Sequence, residues 1–226
     1  KVGIETTFVG YPLANEIPLK SNINKYRKVL RLNRDELVIA LLPGSRVGEL
    51  KAHTDTLLET AQNLLEVHPD AKFLIPTTND KNVHFIKGRI RNNPTKNLKL
   101  IKGKVDEILS SSNIAIAASG TASLQIALHK KPMIIIYKGS WISYFIWKMV
   151  RLIPNVSLPN ILLNENFVPE MLQHRATPNL LSEKACKIIN DKKYSKKIES
   201  KFNKLHKDLK KNTSSLIFRI IKPYLK

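Results

Sequence analysis

A chain of 226 residues with 42% hydrophobic content can bury one large core, or one and a half. A mean hydropathy of −0.20, with apolar runs as short as MIII at 133–136, excludes a membrane-crossing helix, and the single cysteine, Cys186, excludes an internal disulfide and a multi-cysteine metal site. The net charge of +20 favours polyanionic partners, nucleic acid or anionic lipid, although part of it reflects a lysine-rich composition, with 29 lysines against 9 arginines.

Residues 1–20 read as a linker, with Pro12 and Pro18 as breakers and no long apolar stretch of a secretory signal. SNINKYRKVLRLN (21–33) has a helical pattern behind a capping serine, Ser21. Strands and helices then alternate. LVIALL (37–42) precedes a helix over 47–67 whose Leu50, Leu57, Leu58, Ala61, Leu64 and Leu65 share one face. KFLI (72–75) precedes a helix near 80–91. LKLI (98–101) leads through Gly103 to a short helix, VDEILSSS. NIAIAA (113–118) leads through Ser-Gly-Thr to a helix over 121–129, and MIIIY (133–137) closes the series. The C-terminal third reads as helical, with Tyr194, Ile198, Phe202, Leu205 and Leu209 in one amphipathic stripe. Five short apolar strands separated by helices predict an α/β fold, a parallel sheet covered on both faces.

Ligands of such sheets bind at the carboxyl ends of the strands, which singles out the loops PGSRVGE (43–49), ASGTAS (118–123) and YKGSW (137–141). In the first, Gly44 permits a tight turn, Ser45 is placed to cap the next helix through its hydroxyl, and Arg46 offers a planar fork for phosphate. The helix start itself favours an anion. A plain helix cap with a surface arginine would read the same way. Ser119-Gly120-Thr121 repeats the arrangement, and Gln125, one turn further on, faces the same way and suits a sugar hydroxyl. A tight strand–helix turn would again look alike. Neither GxxxxGK[ST] nor GxGxxG occurs, which disfavours P-loop ATPases, kinases and typical nicotinamide dehydrogenases. The six histidines are scattered without HxxxH or HExxH, so no metal site and no cofactor is expected. The stretch GSWISYFIWKMVRLIP (139–154) sets Trp141, Phe145 and Trp147 among Lys148 and Arg151, a mixture suited either to a bilayer headgroup region or to a buried helix with snorkelling ends. Residues 183–226 carry fourteen Lys or Arg against four acids, a solvated face or an anionic-surface contact.

Three motifs coincide in order: FVGYPLAN (8–15), LLPGSRVGEL (41–50) and SGTASLQIAL (119–128), followed by KPMIIIYK (131–138) and VSLPNILL (156–163). Together they resemble the lipid-A-disaccharide synthases, bacterial glycosyltransferases of GT-B fold with two Rossmann-like halves around a cleft. The resemblance implies that residues 1–20 link to an N-terminal acceptor domain outside this chain, that 21–165 form the UDP-sugar-binding domain, and that 166–226 are C-terminal helices. It implies transfer of 2,3-diacylglucosamine from its UDP donor to 2,3-diacylglucosamine 1-phosphate at the cytoplasmic face of the inner membrane, without metal, cofactor or nucleic acid. The present chain, lacking the acceptor half and its base, is then expected to be inactive alone. The implied UDP-sugar site comprises Gly44, Ser45, Arg46, Glu49, Ser119, Gly120, Thr121, Gln125, Tyr137 and Asn160, with Arg46 stabilising the leaving diphosphate. Gln125 departs from the family, which usually has glutamate at this position, expected to hold the ribose hydroxyls; glutamine can still accept through its carbonyl, but without charge. Another GT-B UDP-sugar enzyme, of epimerase or MurG type, and a basic membrane- or nucleic-acid-binding protein are the alternatives; no nucleic-acid motif occurs among the basic residues.

Overall fold

The computed structural model describes residues 3, 6–139 and 155–225. Trp141, Phe145, Trp147, Lys148 and Arg151, the residues expected at a lipid surface, lie outside them. In chain order the helices are α1 (Leu13–Glu16), α2 (Ile23–Val29), α3 (Val47–Val67), α4 (Asp80–Asn92), α5 (Val105–Ser111), α6 (Thr121–Leu128), α7 (Leu158–Leu163), α8 (Pro178–Asn190), α9 (Lys192–Leu209) and α10 (Thr213–Ile221). The strands are β1 (Val38–Leu42), β2 (Lys72–Thr77), β3 (Leu98–Lys102), β4 (Ile114–Ala118), β5 (Met133–Tyr137) and β6 (Glu170–Leu172).

The strands form one parallel sheet in the order β3-β2-β1-β4-β5-β6. Every residue of β1 and β4 is buried, as expected of strands covered on both faces. Their side chains alternate between two cores. Val38, Ala40 and Leu42 point to one, with Ala115 and Ala117; it is closed by α5, α6 and α9 through Ile108, Leu124, Leu128, Ile198 and Phe202. Ile39 and Leu41 point to the other, with Ile114 and Ile116; it is closed by α3 and α8 through Leu57, Leu58, Leu64, Leu181 and Ala185. Each of these large aliphatic side chains contributes about 1.5–3 kcal/mol by leaving water.

Three expectations need correction. The sheet has a sixth strand, β6, inside the stretch read as helical; only three residues long, it pairs Ile136 with Met171 at the sheet edge and is too short for periodicity to betray. The helix read over 21–33 is shorter. Asn22, not Ser21, accepts from the Lys25 N–H at its start, and Arg31 in the left-handed region (φ 54°) follows its end. The opening segment is not merely a tether: Ala14 and Ile17 are buried in the first core, and the Ala14 carbonyl bonds His206 of α9 at 2.8 Å.

Candidate functional site

β1 and β4 are adjacent, with Leu42 beside Ala117, although their sequence neighbours run to opposite sides of the sheet. This is the topological switch point of a doubly wound sheet, where the loops leaving the two strands diverge and open a crevice. The PGSR loop leaves β1 and the SGT loop leaves β4. Both line one cleft of about 250 Å³, together with Leu42, Pro76, Thr78, Val105, Ala118, Ala122 and Gln125. A larger cavity, about 590 Å³, lies by β6, α8 and α9, but there Glu170, Glu183 and Asp191 face Arg175, Lys184 and Lys187. The smaller cleft is the one lined by the two turns that leave the carboxyl ends of β1 and β4 at the switch point.

The PGSR turn is held on three sides. Gly44 has φ 110°, and a Cβ there would lie 2.4 Å from the Glu49 Cβ, so glycine is required. The Glu49 carboxylate accepts from the N–H groups of Ser45 (2.8 Å) and Arg46 (3.2 Å) and pairs with the Arg46 guanidinium at 2.8 Å. Burial would raise the Glu49 pKa, but these hydrogen bonds and the Arg46 charge outweigh it and hold the group below its ordinary value. The helix is therefore capped by Glu49 reaching back, and not by the Ser45 hydroxyl as the sequence predicts. Arg46 is paired but not shut away: its side chain is 84% exposed, and such a pair is worth about 0–1 kcal/mol. The remaining first-turn N–H groups, those of Val47 and Gly48, have no acceptor four residues back inside the helix.

From α4, the buried Asn82 donates to the Ser45 carbonyl at 2.9 Å. From α3, the buried His53 joins two loops: Nδ1 donates to the Pro43 carbonyl (3.1 Å), and Nε2 accepts from the Lys138 N–H after β5 (3.0 Å). These roles require the neutral ring, and burial, the largest cause, lowers its pKa.

The second turn is built from small residues. Ser123 bonds back to the Gly120 carbonyl through both N–H and hydroxyl, and the Ser119 hydroxyl donates to the Val156 carbonyl at 3.0 Å. Thr121 is exposed at the first position of α6. Gln125 Nε2 donates to Asp106 Oδ1 at 2.8 Å.

Of the expected site residues, Gly44, Ser45, Arg46, Glu49, Ser119, Gly120, Thr121 and Gln125 meet at this cleft. Tyr137 ends β5 and is not among its lining residues, and neither is Asn160. Asn160 is fully buried in α7 with its amide saturated: Nδ2 donates to the Val168 carbonyl and to Glu170, and Oδ1 accepts from the N–H groups of Phe167 and Val168. No donor or acceptor is left for a ligand. Pro76 and Thr78, at the carboxyl end of β2, also line the cleft; no motif marks them, but the carboxyl-end rule applied to β2 points to them. The partners Asp106 and His53 sit on other elements, and no spacing pattern announces them.

The family model for lipid-A-disaccharide synthetase matches residues 1–221. A lipid-A-disaccharide synthase from Methylobacillus flagellatus is 34% identical over 228 aligned residues, covering 100% of this chain and 60% of the relative. One from Dechloromonas aromatica is 37% identical, covering 98% of this chain and 59% of its own length. The chain thus spans about 60% of the curated relatives it matches. Among solved structures, the UDP-GlcNAc 2-epimerase of Neisseria meningitidis superposes with a TM-score of 0.60 at 14% identity, over 88% of this chain and 48% of that one. MurG of Acinetobacter baumannii gives 0.54 at 14%, over 91% and 54%. These likenesses carry the GT-B fold, and the family match, running through both turns of the cleft, carries the rest: the chain belongs to the lipid-A-disaccharide synthetase family.

Proposed function

We propose that this chain is the nucleotide-sugar-binding part of a lipid-A-disaccharide synthase, and that the cleft at the β1–β4 switch point holds the UDP of a UDP-2,3-diacylglucosamine donor. The observation carrying this reading is the meeting of two helix-opening turns and an exposed guanidinium at that one cleft. In the reaction, the 6-hydroxyl of 2,3-diacylglucosamine 1-phosphate forms a bond to C1 of the donor sugar, the bond from C1 to the diphosphate breaks, and UDP departs with the bonding pair. Charge grows on the diphosphate as that bond lengthens. Arg46 and the N–H groups opening α3 and α6 are stabilisers of that charge, fixed in advance by Glu49, Asn82 and His53. Gln125 meets the sugar hydroxyls. This cleft supplies the donor side of the reaction; the acceptor site and the base that takes the hydroxyl proton are not among the groups that line it.

Contact with the cytoplasmic face of the inner membrane is part of the same proposal. It is supported by the basic residues of 183–226 and by exposed apolar groups at Phe218, Ile221, Tyr224 and Leu225. No helix among the described residues is long and apolar enough to cross a membrane.

Titration calorimetry with UDP tests the reading. Saturable one-site binding is the expected result. Absence of UDP binding together with salt-dependent retention on DNA would replace it with the nucleic-acid alternative.

A further inference from the structure

Gln125 brings an amide to the cleft lining, with a donor edge and an acceptor edge, and its hydrogen bonding decides which edge the cleft receives. Its Nε2 donates to Asp106 Oδ1 at 2.8 Å. Asp106 stands in the first turn of α5, next to cleft-lining Val105. Behind it, His129 Nε2 lies 2.8 Å from the same Oδ1, and His129 Nδ1 lies 2.9 Å from Ser110 Oγ. Ser110 and His129 are both buried, so this row of groups is fixed from the core outward and ends at the half-exposed carboxylate. The His129 bond is the largest cause holding Asp106 below the ordinary carboxylate pKa; burial opposes it, and the Gln125 bond and the His129 charge add to it. An ionised carboxylate only accepts. The edge that Gln125 turns towards it must therefore be the NH2 edge, and the carbonyl oxygen Oε1 is the edge left for a ligand.

We infer that Asp106, braced by His129, is a positioning residue that locks the Gln125 amide with its carbonyl oxygen available to the cleft, where the resemblance already expects this position to meet the ribose hydroxyls of the nucleotide. The inference rests on the proposed UDP reading of the cleft and deepens it. An unrestrained glutamine presents either edge, since the two orientations of the amide differ only in their partners. With Asp106 in place, the uncharged Gln125 acts as an acceptor of fixed direction, the charge standing one residue further back. A site built to accept from a hydroxyl discriminates against the analogue lacking it, because the acceptor, covered by the bound ligand, is then left without a partner.

The test compares UDP with 2′,3′-dideoxyuridine diphosphate by calorimetry, on the unaltered chain and on Asp106→Ala and Asp106→Asn. The unaltered chain should prefer UDP by about tenfold. Asp106→Ala should reduce that preference to about threefold or less while leaving the dideoxy ligand's affinity in place. Asp106→Asn keeps an acceptor oxygen towards both Gln125 and His129 and should restore the preference. A purely structural Asp106 would weaken both ligands alike, and an unchanged preference in Asp106→Ala overturns the inference. Should the unaltered chain bind both nucleotides equally, the orientation claim falls while the UDP reading stands; should it bind neither, the UDP reading itself falls. If Asp106→Ala does not fold, the Gln125 side-chain amide protons in the unaltered chain decide by NMR. One strongly downfield, slowly exchanging proton is expected, whereas two fast-exchanging, near-equivalent protons overturn the inference.

Discussion

The PGSR turn and the SLPN segment stand side by side in the sequence resemblance, yet the structure treats them in opposite ways. At PGSR the cation is 84% exposed, and its carboxylate partner is a surface ion pair that a ligand can replace at little cost. At SLPN the asparagine is fully buried and all four of its hydrogen-bonding positions are engaged, tying α7 to the loop before β6 and to Glu170. Glu170 in turn accepts from the Val156 and Ser157 N–H groups and from the Ser157 hydroxyl. A motif can recur because it meets a ligand or because it closes a turn. Spare hydrogen-bonding capacity, which only the structure reports, tells the two apart.

The sharpest way to break this comparison is Asn160→Ala. It strips partners from the loop at Phe167 and Val168 and from Glu170 of β6, and should cost about 3 kcal/mol or more of stability by urea unfolding, with the UDP affinity of folded protein unchanged within about twofold. Loss of UDP binding at unchanged stability would put Asn160 in the site after all. Arg46→Ala is the mirror case: about 1.5–3 kcal/mol of UDP binding lost in calorimetry, with stability moved by less than about 0.5 kcal/mol. Unaltered affinity would remove the guanidinium from the diphosphate. Gly44→Ala should act on both readouts, because a Cβ at φ 110° collides with Glu49; a stability loss of about 1–2 kcal/mol and weaker UDP binding are expected together. A tolerated alanine would show that the turn is looser than its geometry.

The smallest expected effect is a slope in pH. Burial lowers the pKa of His53, so the folded state takes up its proton less readily than the unfolded chain. The stability this represents is fully present above the ordinary value of 6.5 and is lost as the pH falls below it. His206, also lowered chiefly by burial, with Lys130 and Lys210 adding to the effect, contributes in the same direction. Urea midpoints measured from about pH 7.5 down to about pH 5 should fall, and less steeply in His53→Gln, whose amide offers one donor and one acceptor without titrating. An identical slope in that variant would remove His53 from the account.

The α/β class, the strands β1 to β5 with the helices between them, and the two anion-suited turns were legible in the sequence. Apolar runs bounded by glycine, proline and serine are local signals, and VIALL-PGSR and IAIAA-SGT carry them within ten residues each. What the chain order could not state is that β1 and β4, more than seventy residues apart, are neighbours. That pairing alone turns two ordinary strand–helix junctions into two walls of one cleft. Tertiary structure likewise decided that Asn160 is spent on the fold, that Glu49 and not Ser45 caps α3, and that Gln125 answers to Asp106 and His129. Each of these depends on how much hydrogen-bonding capacity is left after packing, and that remainder is a property of the assembled chain, not of any segment of it.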